Sequence, residues 1–63
     1  MNLKALLEKT STFQKVEIFY RGNEKCGTAG SLLENLGKDW LESQVLEIKA
    51  DFSKLMIEIG NRA

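Results

Sequence analysis

Leucines at positions 3, 6 and 7 open the chain at i, i+3, i+4 spacing, which predicts a short amphipathic helix over residues 2–10. Asn2 is suited to cap it, and the hydroxyl residues Thr10-Ser11-Thr12 are suited to end it. The period then changes to two. In Lys15-Val16-Glu17-Ile18-Phe19-Tyr20, Val16, Ile18 and Tyr20 share one face and Lys15, Glu17 and Phe19 the other, which predicts a strand. Gly22-Asn23 reads as a two-residue hairpin loop, returning through a weaker strand over Lys25-Cys26-Gly27-Thr28. Gly27 marks a bulge or a close approach of another element.

Ser31-Leu32-Leu33-Glu34 has the form of a capping box and predicts a helix start at Ser31, with Leu32, Leu33 and Leu36 inward and Gly37 ending the first turns. Asp39-Trp40-Leu41-Glu42 is a second start of the same kind. Residues 39–59 admit two readings. With period two they form a hairpin that turns at Asp51-Phe52-Ser53-Lys54; Leu46, Ile48 and Ala50 face one way, and Leu55, Ile57 and Ile59 match them. With period 3.5, Leu41, Val45, Ile48, Phe52, Leu55 and Ile59 form a heptad stripe on one long helix. The hairpin is favoured because Leu46, Met56 and Ile57 fall off the helical stripe yet fit two alternating strands, and the β-branched enrichment of residues 45–59 also points to strand. The two inner faces align only with an even loop or a bulge. The expected fold is one α+β domain over residues 1–63, α-β-β-α-β-β, with a four-stranded antiparallel sheet and helices on one face.

Composition narrows the chemistry. At 63 residues the chain forms one small domain, where hydrophobic gain and chain entropy nearly cancel. Cys26 is the only cysteine, so no internal disulfide forms; good packing or self-association must supply the staple. Nine basic residues balance nine acidic ones, which points neither to a duplex-DNA binder nor to an acidic DNA mimic. With no histidine, the common triads and zinc motifs are excluded and no general base sits near neutrality. The expectation is a protein that is no enzyme and holds no metal or cofactor. The amino-terminal residues lack a signal peptide's apolar run, no stretch is long enough to span a membrane, and a lone thiol suits the cytoplasm.

Individual residues then sort by role. Gly27-Thr28-Ala29-Gly30-Ser31 lacks the spacing and lysine of a phosphate loop and reads as a strand-to-helix turn. Cys26 reads as a small, semi-buried strand residue. Glu17, Glu47 and Glu58 share the outer sheet face with Lys15, Lys49 and Lys54. They read as a charge-mixed surface more readily than as an acid–base pair. Trp40 closes one end of the core. Phe19, Met56 and Val45 fall by alternation on that outer face. Helices in so short a chain cover only one side of a sheet, so these apolar residues form an interaction surface among charges. Phe52, at the second turn, is a further contact candidate. The expected binding set is Phe19, Met56, Val45 and Phe52, with Lys15, Glu17, Lys49 and Glu58 as polar rim.

The layout from Val16 to Ile59 resembles that of very short phage and prophage proteins. The features that carry the resemblance are Val16-Glu17-Ile18, the Gly22-Asn23 turn, Gly27 before a capped helix, Trp40-Leu41, Val45-x-x-Ile48-x-Ala50 and Leu55-x-Ile57-x-Ile59. The wider pool of such proteins includes inhibitors of host defence machinery, anti-CRISPR proteins among them. The resemblance implies a fold and a setting in the host cytoplasm, and it carries over no functional residue. The expected function is steric occlusion of a larger bacterial protein. The rivals are a nucleic-acid accessory protein using Lys15, Arg21, Lys25, Lys49 and Phe19, and a self-assembling homo-oligomer.

Overall fold

A computed structural model describes residues 1–60. The elements run α1 (Leu3–Lys9), β1 (Lys15–Tyr20), β2 (Asn23–Thr28), α2 (Ala29–Asn35), α3 (Lys38–Leu41), β3 (Gln44–Asp51) and β4 (Lys54–Gly60). Period two therefore governs residues 44–60, and the long-helix alternative is not formed. Asn2 caps α1 as its side chain predicts, its Oδ1 accepting from the backbone N–H of Ala5 at 2.8 Å.

The four strands form one sheet in the order β2-β1-β4-β3. Both hairpins are antiparallel, but β1 and β4 pair in parallel at the centre, so the sheet is mixed rather than purely antiparallel. The cause is the helical connection. Residues 29–41 carry the chain back along the sheet, so β3 sets off in the same direction as β2, as crossover connections require. The hairpin partners β1 and β4 then also share a direction.

One turn frame, one helix start and one helix end differ from the sequence expectation. The first hairpin loop is Arg21-Gly22, with φ of 52° and 83°, and Asn23 is the first residue of β2. A tight loop with positive φ at both central positions wants glycine second, and that frame is the one adopted. Helix α2 starts at Ala29 rather than at Ser31: Thr28 is the cap, its Oγ1 accepting from the Ser31 N–H at 3.2 Å. The earlier start is fixed from outside the helix. The N–H groups of Ala29 and Gly30 donate to the carbonyls of Gln14 (2.9 Å) and Thr12 (3.0 Å). The amino end of α2 is thereby spent on the loop before β1 and is not presented to an anion. Gly37 does not close α2 with a left-handed turn. Its φ is −66°, and it serves as the cap of α3.

The core lies between the sheet and the helices. It comprises Leu3, Leu7, Val16, Ile18, Ala29, Leu32, Ile57 and Ile59, all aliphatic. Tyr20 and Trp40 close one end, edge to face with ring centroids 5.2 Å apart, and the Lys25 ammonium lies 5.9 Å from the indole centroid. None of the three phenylalanines is buried.

Candidate interaction face

The registers place the outer-face residues on a grid. From β2 across to β3, one rung is Thr28, Lys15, Lys54, Asp51; the next is Cys26, Glu17, Met56, Lys49; the third is Glu24, Phe19, Glu58, Glu47. The apolar core residues of β1 and β4 alternate with these and point to the helices, so the grid is the side that α1, α2 and α3 leave open. Phe19 and Met56 meet there as expected. With Glu47, Lys49 and Glu58 they line a shallow, open depression of about 280 Å³. Lys15 and Glu17 lie at its flank with Lys54, beside a second hollow of about 250 Å³.

Val45 does not belong to this face. A bulge between Val45 and Glu47 adds one residue to β3, leaving Val45 opposite Ile59 and packed against the core. The same bulge turns Leu46 outward. A Cβ placed on Gly60 would lie 2.7 Å from Leu46 Cδ1, so the leucine side chain covers the glycine. Gly60 follows Ile59, a core residue, so its Cβ direction is outward. Leu46 is 61% exposed and extends the apolar part of the face beyond Glu47. A one-residue slip swaps the sides of neighbouring residues, and a bulge performs that swap locally. Alternation alone carries no signal for it.

Phe52 is also set apart from Phe19. It occupies the tip of the β3–β4 hairpin, beyond the Lys54–Asp51 rung, with its side chain fully exposed and φ at 53°. Phe13, 85% exposed, stands near the same end. The Gln14 side chain ties the two loops by donating to the Ser53 carbonyl at 2.6 Å. Phe13 was not singled out by the sequence; an aromatic between polar loop residues has no periodic signature.

The electrostatics of the grid are uneven. Lys54 Nζ bonds Glu17 Oε2 at 2.8 Å across β1 and β4. That hydrogen bond, with the carboxylate's charge, holds the Lys54 pKa above its ordinary value. Its contribution is present at neutral pH and is lost only as pH climbs through the raised value, in the alkaline range. Lys49 lies 3.8 Å from Glu47 along the same strand. Glu58 stands directly opposite Glu47 and beside Phe19, and among the described residues it makes no salt bridge. Like charges placed opposite each other across strands are unfavourable. The Phe19 end is therefore acidic, with Glu24, Glu47 and Glu58 around the ring.

Cys26 is exposed rather than semi-buried, and its Sγ donates to Glu24 Oε2 at 3.4 Å. This bond, foremost, raises the thiol pKa and keeps the sulfur protonated, the opposite of an activated nucleophile. Glu17, Glu24 and Cys26 bring ligand-type atoms within 4.8 Å of one another. Glu17 is already held by Lys54 and the thiol is bonded to Glu24, so these groups satisfy each other as a hydrogen-bonded surface.

The basic residues do not gather. Lys15 and Lys49 lie on the open face, Lys25 lies over Trp40 on the helix side, and Arg21 sits at the turn, 5.7 Å from the Tyr20 centroid. A strand platform for nucleic acid wants these cations and Phe19 on one surface. No helix of the described residues is long and apolar enough to cross a membrane. Comparison of the chain with protein-family models, with curated proteins and with solved structures finds no match.

Proposed function

We propose that this chain is a non-enzymatic protein-binding module that docks through its open sheet face on a larger protein and blocks it by steric occlusion. One observation carries the reading. The fold leaves Phe19, Met56 and Leu46 on the face that no helix covers, and sets beside Phe19 the carboxylate of Glu58, which faces Glu47 and makes no salt bridge among the described residues. An apolar centre in a charged rim is the anatomy of a protein interface. Its excess of carboxylates selects a partner surface that offers basic side chains around an apolar knob. The narrower reading, an inhibitor of a bacterial defence protein, rests on the resemblance in layout to small phage proteins.

The test is affinity capture from nuclease-treated bacterial lysate, using the wild type beside two outer-face variants and one helix-side control. Phe19→Thr removes the ring and keeps a β-branched strand residue, whereas Phe19→Glu adds a fourth carboxylate to the same rung and mixes the effects of charge and ring. Glu58→Lys reverses the charge beside the ring. Glu34→Lys alters an exposed position of α2. The reading expects one dominant protein, lost with both outer-face variants and retained with the control. Retention by Phe19→Thr and Glu58→Lys contradicts it.

A further inference from the structure

The two edges of the sheet are built differently. The β2 edge reads Asn23-Glu24-Lys25-Cys26-Gly27-Thr28, polar and interrupted by glycine, which discourages further pairing. The β3 edge is the longest strand, Gln44–Asp51, and carries Leu46, Ile48 and Ala50, all exposed. Its first residues are covered. Asn2 bridges Gln44, and the Val45 N–H donates to the Met1 carbonyl at 3.0 Å. Beyond that point, among the described residues, no segment pairs with the outer edge of residues 46–51. Ile48 points to the helix side, opposite Ile57 of β4, yet is 47% exposed, because the helices do not reach the edge of the sheet.

We propose that a second copy of this chain fills this edge, the two β3 strands pairing antiparallel with Ile48 opposite Ile48. Symmetry, charge and the length of the free edge select the register; a ladder centred on Ala50 would also set Lys49 against Asp51, but it would pair only residues 49–51 of the strand. An antiparallel pair that continues the sheet with its faces matched must set residues opposite each other whose numbers sum to an even value. With Ile48 opposite itself, each Glu47 faces a Lys49 of the second copy, giving two cross-strand ion pairs on the open face. The two Ile48 side chains cover each other on the helix side. Moving the ladder by one step towards the amino end sets Glu47 against Glu47. Moving it the other way sets Lys49 against Lys49 and Glu47 against Asp51. Both alternatives place like charges directly opposite each other, which is unfavourable. The ladder ends where Met1 and Asn2 cover residues 44 and 45, so the contact is short and the dimer weak. It would bury less than the roughly 1,200 Å² typical of stable complexes. Two copies joined this way present one eight-stranded sheet whose two Phe19 faces point the same way.

The experiment is the mass of the purified protein by analytical ultracentrifugation over a concentration series reaching about 1 mM. It concerns the protein alone, so it stands or falls independently of any partner. The wild type is expected to pass from monomer to dimer within the series. Glu47→Lys and Lys49→Glu each convert both ion pairs to repulsions and are expected to weaken dimerisation about tenfold or more. The double variant Glu47→Lys/Lys49→Glu restores opposite charges and is expected to recover the dimer. An equimolar mixture of the two single variants is expected to do so as a heterodimer. Both side chains are well exposed, and circular dichroism verifies folding of each variant. A wild type that stays monomeric throughout overturns the proposal. So do single variants that dimerise like the wild type, or a double variant as weak as the singles.

Discussion

Glu58 shows most clearly where the needs of the sheet and those of a surface diverge. It faces Glu47 directly, has Phe19 beside it on the parallel neighbour, and gains nothing visible from either. Replacing it with lysine turns a cross-strand repulsion into an attraction. Glu58→Lys should therefore stabilise the fold by roughly 0.5 kcal/mol in urea unfolding. The same variant should lose the partner. A loss of stability would mean that Glu58 is structural. Cys26 offers a second test at this scale. Its bond to Glu24 should slow modification by a disulfide reagent at mildly alkaline pH relative to the unfolded chain. Glu24→Gln should accelerate it, because the carboxylate is the main cause of the raised thiol pKa. Equal rates in the two proteins would refute that assignment. Of the face itself, Phe19, Met56, Glu17, Glu58, Lys15 and Lys49 were legible from alternation alone. Val45 and Leu46 were not, since a bulge exchanges them and the sequence around it reads as regular alternation.

The elements were legible where a period ran for several residues, and less so at their ends. Strands β1, β3 and β4 and helix α1 follow from periodicity. Helix α2 starts two residues ahead of Ser31: Ser31-x-x-Glu34 resembles a capping box, but the cap is Thr28, chosen by tertiary contacts at Thr12 and Gln14. Gly30 is the pivot of those contacts, since a Cβ there would lie 2.5 Å from the Thr12 methyl. Gly30→Ala gains up to about 1 kcal/mol of helix propensity. It should nevertheless destabilise the protein by about 1–3 kcal/mol through the clash and the displaced loop. The β3–β4 turn carries the opposite case. Phe52 holds positive φ, where a bulky side chain costs roughly 1 kcal/mol, and its ring touches no core. Phe52→Asn should leave the fold as stable or up to about 1 kcal/mol more stable. A loss larger than 1 kcal/mol in the same unfolding assay would show that the ring packs in solution.

At the scale of the whole molecule, the mixed sheet could not be read from local pattern. The parallel pairing of β1 and β4 follows from the direction in which residues 29–41 return the chain, a property of the connection and not of either strand. The same arrangement leaves one thin aliphatic core and one open face. A core in a domain this small supplies only about 3–5 kcal/mol of net stability, and truncating a buried isoleucine costs about 2–5 kcal/mol. Ile57→Ala should therefore be largely unfolded at 25 °C by circular dichroism; a cooperative, native-like transition would mean that the core is deeper than it looks. Against so narrow a margin, three phenylalanines left outside the core are a large unused reserve of hydrophobic burial. The proposed docking of the open face on another protein would give one of them, Phe19, a use.

The measurement that tests this most directly pairs stability with capture for Phe19→Thr. The open-face reading predicts unfolding within about 1 kcal/mol of wild type, because the position lies on a half-exposed sheet surface, together with loss of the captured protein from lysate. Full retention of that protein by a folded Phe19→Thr variant would contradict it and move the search to the helix side or to the Phe13 and Phe52 loops.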